Sequence, residues 1–472
     1  MVPVQIPDVL AGGRWWSRDE LDATARGWRA AIRDALGDDC RPVAAAVPAT
    51  PEGVALFIAA TSIPAPVILL PPDARAWRSD PALPAGTPLV LPPSLASLAP
   101  AAQRMGCAPC LLPDRPRGVS APPFTLLQSP GMVLFTSGTT GLPRPVYRGM
   151  ATLLENSAAR LSALGLAAGD GIIVGASLGH GNGLNRLLLS MLLGGPLGLL
   201  GPVDHRLALA TLARPEFTFW SATAHFADVL GRCTLTGPAV VPRVCLLSSP
   251  VSRAVFDAFL ERFGVPLRQN YSSSETSCIA VDGAPASEVR PGTVGRPLPG
   301  LALRIGDRPD APLPPETTGR IWVRSPWLME GHGFPPDLER PRLTAGWWPT
   351  RDLGALDAEG RLSLAGRIDD CIRTREGRIV NLFAVANDLR AFGGVRAVEI
   401  VPLQGPAGSS FGAVLECDPS TTLAALRRKL SDTLPPWSWP RKMALVAALP
   451  RLPNGKADRR ACRAALGEGG WS

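Results

Sequence analysis

Polar and apolar positions set the outline of this chain before any single residue does. "SRDELDATARGWRAAIRDAL" opens on Ser17 with Glu20 three residues later, a capping box, and apolar residues then recur at helical spacing. "RPVAAAVP", "GVALFIAAT" and "APVILLPP" follow as a strand, a helix and a buried strand. The alternation continues to about residue 250 and predicts α/β layers with parallel strands. "SRAVFDAFLERFG" predicts an amphipathic helix from Ser252 to Gly264. From Pro291 the texture changes: "GTVGRPLPGLALRIG", "GRIWVRSP" and "GRLSLAGRI" are short strands between Gly and Pro turns. After Arg367 a smaller strand–helix–strand–strand–helix unit appears. The fold class expected is therefore α/β: a large N-terminal domain of layered α/β sheets with a β-rich subdomain, residues 1–367, and a small mobile α+β domain, residues 368–472.

Length agrees, since 472 residues exceed what one core usually serves. The net charge of +8 changes little, because it is dispersed and mostly arginine. A nucleic-acid binder concentrates Lys and Arg with interleaved aromatics, so no nucleic-acid partner is expected. The nine cysteines are scattered and odd in number, which is no disulfide framework, and Cys107 and Cys110 lack a second pair at zinc-site spacing. The opening residues carry no signal-peptide pattern, and the most apolar run, Leu187 to Gly201, is short and broken by glycine. A cytoplasmic protein without a membrane partner is expected.

The chemistry begins at "LFTSGTTGLPRPVYR", where Thr136, Ser137, Gly138, Thr139, Thr140 and Gly141 stand in one row after a strand-like run. Glycines admit a ligand close to the backbone, and N–H and hydroxyl groups donate to phosphate oxygens. The row lacks the spacing and the lysine of a Walker A loop. Four further stretches follow: "SLGHGNGLNRLLLSMLLGG" from Ser177, "RQNYSSSET" with Tyr271 and Glu275, "GWWPTRDLGALDAEGRLSLAGRIDD" from Gly346 to Asp370, and "LPRLPNGKADRR" with Lys456. In this order they resemble the adenylate-forming enzymes, which comprise acyl- and aryl-CoA ligases, nonribosomal-peptide adenylation domains and luciferases. The resemblance spans about residues 20 to 465.

The resemblance implies ATP-dependent attack of a carboxylate on the α-phosphate, release of pyrophosphate, and transfer of the acyl group to a thiol. It implies that Thr136 to Gly141 hold the β- and γ-phosphates, with Arg144 where the family has lysine and Pro145 where it has glycine. Glu275 would hold Mg²⁺, a hard cation that takes oxygen ligands. Tyr271 would stack on adenine, Asn270 and Ser272 would line that pocket, Ser274 would meet the α-phosphate, and Ser248 and Ser249 would form the opposite wall. Asp352 would accept hydrogen bonds from the ribose hydroxyls and Arg367 would contact ribose and phosphate. Asp369 falls on the hinge, and Lys456 would bridge carboxylate and α-phosphate. Arg351 replaces the family glycine before Asp352. Arg373 stands where lysine is usual, in a segment one residue longer than the family's.

The acid and the thiol are less defined. No acidic residue stands in "LGHGNGLN", where amino-acid-activating relatives pair the substrate ammonium, so an acid without an α-amino group is expected. His180 would stand near its carboxylate as a catalytic residue, with Gly179, Gly181 and Gly183 leaving room around it and with Gly181, Asn182, Gly183, Cys278 and Ile279 around the acyl chain. A compact aromatic or short-chain acid fits. Coenzyme A or the phosphopantetheine of a separate acyl carrier protein would supply the thiol. A relative that binds a nucleotide or acyl ligand without catalysis is the remaining reading: the departures at Arg144, Pro145, Ser272, Arg351 and Arg373 support it, and the retained Glu275, Asp352, Arg367 and Lys456 stand against it.

Overall fold

The protein is described here from a computed structural model that places residues 4–37, 41–74, 77, 83–114, 125–136, 143–200, 205–232, 240–247, 251–373, 379–405, 408–451 and 457–469. The first predicted helix runs Arg18–Leu36, with Ser17 and Glu20 exchanging both capping-box bonds. The next, Pro51–Thr61, is buried at every position except Glu52. A helix without a polar face belongs inside a core, and this one sits in the largest hydrophobic cluster.

Two large sheets enclose that cluster. One has eight strands, in the order Asp337–Glu339, Gly331–Phe334, Pro145–Gly149, Gly131–Phe135, Val67–Leu70, Val43–Ala46, Pro88–Leu91 and Ala108–Leu111. The other has nine, in the order Arg296–Pro297, Ser277–Val281, Leu267–Ser273, Val244–Leu247, Phe217–Ala222, Gly171–Val174, Leu197–Leu199, Val9–Ala11 and Arg14–Trp16. The cluster joins Val67, Leu69 and Met132 of the first to Ile172, Val174 and Leu246 of the second. The helices Arg18–Leu36, Pro51–Thr61, Met150–Ala163 and Gly181–Leu193 contribute to it, forming a layer between the sheets.

The predicted parallel pairing holds in the sheet interiors and at the Ala108–Leu111 edge, and antiparallel strands close the other edges. One such hairpin, Val9–Ala11 with Arg14–Trp16, turns on Gly12 and Gly13, both at positive φ. A Gly-Gly pair is a short-hairpin signal, and it is the feature in this segment that could have announced the turn.

The β-rich region is a four-stranded antiparallel sheet, Ala302–Ile305, Gly319–Arg324, Trp348–Leu356 and Leu362–Arg367. Past Arg367, a three-stranded sheet of Val395–Gly405, Gly408–Cys417 and Lys442–Val446 has apolar clusters on both faces. The helices Leu382–Arg390 and Leu423–Thr433 cover one face and Arg459–Gly469 the other.

Among the described residues no helix is long and apolar enough to cross a membrane. Among the described residues seven cysteines are free thiols, Cys107 and Cys110 included, and burial raises the pKa of both.

Candidate active site

The strands on either side of the Ser/Thr/Gly row pair with each other. Strands Gly131–Phe135 and Pro145–Gly149 pair antiparallel from Gly131 with Gly149 to Phe135 with Pro145. Thr136 closes the neck: its N–H donates to the Arg144 carbonyl and its hydroxyl accepts from the Arg144 N–H, both at 3.0 Å. Residues Ser137 to Gly141 lie outside the described residues. Arg144 pairs with Glu339 at 3.3 Å, with both side chains more than half exposed. Such a surface pair contributes about 0–1 kcal/mol and is readily exchanged for a phosphate.

The same hairpin controls the Glu275 turn through a residue the sequence reading assigned no role. Arg148 is fully buried. Its Nη1 donates to the Ser274 carbonyl at 3.2 Å and its Nη2 to the Trp327 carbonyl at 2.7 Å. The Met329 N–H donates to the Glu275 carbonyl at 2.8 Å. The Ser274 and Glu275 carbonyls are thereby fixed from the hairpin that flanks the Ser/Thr/Gly row and from the loop that precedes strand Gly331–Phe334. Burial lowers the Arg148 guanidinium to about 10 while Glu330 and Glu275 pull it upward, so it stays charged at neutral pH. The signal was an arginine inside an otherwise apolar strand, "PVYRG". Below the turn, Ser273 and Thr276 join hydroxyls at 2.9 Å.

Tyr271 meets the Asp352–Arg367 pair from a strand 81 residues before Asp352. The Tyr271 hydroxyl donates to Asp352 Oδ2, and Arg367 Nε stands 3.7 Å from Oδ1. Asp352 and Arg367 are cross-strand partners, so their juxtaposition follows from register. Burial lifts the Asp352 carboxyl above its ordinary value, against the Tyr271 bond and Arg367. Burial and then the Asp352 charge push the Tyr271 hydroxyl well up, which keeps it a donor. Tyr271 is mostly buried, with Ile279 and Ala280 in one apolar cluster. Its accessible part borders a cavity of about 740 Å³ beside Asn270 and Ser272, whose far wall carries Asn387, Arg390 and Arg396. Asn270 Nδ2 donates to Ser272 Oγ at 2.7 Å.

Arg351 keeps the backbone of the glycine it replaces, with φ at 65°. A side chain there costs roughly 1–2 kcal/mol. Arg351→Gly is therefore expected to unfold in urea within about 1 kcal/mol of the parent or above it, although glycine normally weakens a strand. Arg351→Val should lose about 1–2 kcal/mol, since a β-branched residue tolerates positive φ worst. Equal losses for both would show that the position imposes no such constraint.

His180 is the N-cap of helix Gly181–Leu193 and is half-buried. The glycines around it do different things. A side chain at Gly179 would meet the Leu70 carbonyl at 2.4 Å, and one at Gly183 the Ser177 carbonyl at 2.1 Å. Packing thus requires those two glycines, which corrects the expectation that all three open space. Gly181 alone has room, its nearest neighbour being Leu134 Cδ1 at 3.7 Å. Cys278 and Ile279 are buried, and Asn156 holds the Cys278 backbone with bonds of 2.9 and 3.1 Å.

Lys456, Ser248 and Ser249 lie outside the described residues, as does the side chain of Asp369. The neck of the Lys456 turn is described. Arg451 and Ala457 form an antiparallel bridge, and the Asp458 N–H donates to the Pro450 carbonyl at 2.8 Å. Asp458 then caps the last helix through the Arg460 and Ala461 N–H groups. Glu416 accepts from Leu449 N–H and Arg451 at this neck, and the charges of Arg451 and Glu416 act on His225 of helix Ala224–Arg232.

The hairpin flanking the Ser/Thr/Gly row, the Glu275 turn tied to it by Arg148 and the Asp352–Arg367 pair are consistent with the adenylate-forming class. Residues 4–332 match the family described as AMP-binding enzyme, and the chain belongs to that family. It is 27% identical over 362 residues to the indoleacetate–CoA ligase of Aromatoleum aromaticum, covering 70% of this chain and 66% of that protein. It is 25% identical over 338 residues to the 2-succinylbenzoate–CoA ligase of Enterococcus faecalis, covering 70% and 68%. The matched part thus spans about two thirds of these relatives' length. The amide bond synthetase of Marinactinospora thermotolerans superposes with a TM-score of 0.80 at 25% identity, over 98% of this chain and 97% of that one.

Proposed function

We propose that this protein couples a small carboxylic acid without an α-amino group to AMP, releasing pyrophosphate, and then transfers the acyl group to the thiol of coenzyme A. The observation that carries this reading is the lock between the phosphate-loop hairpin and the Glu275 turn through Arg148. Phosphate donors and a carboxylate held as one body suit charge that develops on phosphate oxygens. The row from Thr136 to Gly141 binds the β- and γ-phosphates, and Arg144 leaves Glu339 to join them. Asp352 accepts from the ribose hydroxyls while Arg367 steadies it, and Tyr271 with Asn270 and Ser272 borders the adenine.

Magnesium fits this donor set. Glu275 supplies one half-buried carboxylate beside the Ser274 hydroxyl, and among the described residues no cluster of three or more His, Cys, Asp or Glu competes for a metal. A hard cation held by one carboxylate takes its other ligands from phosphate and water. When bound, it neutralises phosphate charge.

His180 faces the acid's carboxylate at the mouth of its helix, and Gly181 gives the acid entry. The unit after Arg367 acts as a lid that brings Lys456 to the reacting carboxylate, with Asp369 at the boundary. Its separate apolar clusters support a body that moves as a whole.

The test is pyrophosphate release from ATP and Mg²⁺ over a panel of aryl and short acyl acids, with and without coenzyme A. Release with an acid, accelerated by coenzyme A, is expected. Release indifferent to coenzyme A would move the thiol to a carrier protein. ATP binding without release for any acid would favour a non-catalytic relative.

A further inference from the structure

Two buried cations, one on the helix that His180 caps and one on the helix packed against it, have no counter-charge among the described residues. Arg160 lies on helix Met150–Ala163 and Arg186 on helix Gly181–Leu193, at 2% and 0% exposure. Both turn to one acceptor. Asn185 Oδ1 receives Arg160 Nη1 at 2.7 Å and Arg186 Nη1 at 3.3 Å. Asn185 Nδ2 is occupied by Ser157 Oγ at 3.5 Å. Nε and Nη2 of both guanidiniums are buried without a hydrogen-bond partner, and no carboxylate among the described residues pairs with either. The Phe219 ring, 5.4 Å from the Arg186 guanidinium, offers it a partial partner.

This arrangement is costly. An unpaired buried ion costs several kcal/mol even after relaxation, and two like charges sharing one amide oxygen repel. Burial pushes the pKa of both guanidiniums down, and Arg160 lowers that of Arg186 further. A pair of apolar residues would fill the volume without the penalty. What the pair lacks is an anion with several lone pairs, since each guanidinium still has N–H donors in a planar fork.

Its place indicates where that anion comes from. Asn185 and Arg186 are five and six residues along the helix from His180, roughly 7–9 Å at the helical rise. Cys278, three residues after Glu275, lies against the helix that carries Arg160, since Asn156 of that helix bonds its backbone at 2.9 and 3.1 Å. The cluster therefore lies between the helix that His180 caps and the segment that follows Glu275.

We propose that the acid is bifunctional: one carboxylate is activated at His180, and a second anionic group, a carboxylate or sulfonate across a ring or short chain, is held by Arg160, Asn185 and Arg186. This rests on the acid-activation reading above and names its substrate class.

The experiment compares diacids with their own half-amides, which keep the reacting carboxylate and the shape but lose the far charge. Succinate, glutarate, phthalate, terephthalate and each half-amide are assayed by pyrophosphate release with the full chain, beside benzoate and indoleacetate as plain acids. For the diacid that fits, kcat/KM is expected to exceed that of its half-amide by about 30-fold or more. Arg160→Met and Arg186→Met should collapse that ratio to near one. Arg186→Lys, a conservative change should the others fail to fold, should cut the ratio by about tenfold, as a point charge replaces a fork. Half-amides or plain acids used as well as the diacids would overturn the proposal and leave acid activation standing. A diacid preference unmoved in the variants would overturn the site. ATP binding without release for any acid would overturn both readings.

Discussion

Lys456→Ala is expected to slow acid-dependent pyrophosphate release by roughly 10²–10³-fold, the usual cost of one preorganised donor at a developing anion. The segment that carries the lysine is anchored on both sides. Arg451 and Ala457 form a bridge, Glu416 holds Leu449 and Arg451 before it, and Asp458 caps the helix that follows. The lysine's charge is unneeded before the carboxylate meets the α-phosphate. ATP affinity and urea unfolding should therefore stay near the parent values while release collapses. Equal loss of ATP binding would assign Lys456 to the nucleotide site in the ground state. Near-normal release would remove it from the chemistry.

Arg148→Met is expected to cost about 3–5 kcal/mol in urea unfolding, the range found when one member of a buried charged network is deleted. The Ser274 and Trp327 carbonyls would lose their donor, and Glu330 and Glu275 a compensating charge. In protein that still folds, release should fall roughly 10²-fold, because a displaced Glu275 turn misplaces its cation. The Mg²⁺ concentration for half-maximal activity should rise, a change that loss of stability alone would not produce. Arg148→Lys should recover little, since an ammonium cannot address two carbonyls as a planar fork does. Unaltered Mg²⁺ dependence would confine Arg148 to packing.

Much of the frame was legible in local chemistry. Ser17 with Glu20, and Ser252 with Gly264, mark helix ends through bonds three or four residues long, and the helices begin and stop there. The phosphate row was legible as a loop after a strand, and its hairpin neck agrees. Arg351 was visible as a departure, though not that its backbone would retain the glycine conformation. What escaped depends on distance along the chain. Arg148 reaches across 126 and 179 residues to its two carbonyls, and Tyr271 across 81 to Asp352. No periodicity encodes such pairs. Arg160 escaped for another reason: a polar residue in an amphipathic pattern reads as solvent-facing, and only the packing of two helices shows that this one points inward. Gly179 and Gly183 were misread because a glycine's reason lies in the neighbour it admits.

The unit beyond Arg367 encloses two apolar clusters of its own. A body with its own core melts on its own terms, so one transition temperature cannot stand for the whole chain. Heat should separate the lid from the body that carries Arg148, and substitutions in one part should leave the other part's transition in place. A ligand gripped by both parts would draw the two transitions together, which turns calorimetry into a measure of lid closure with no turnover required.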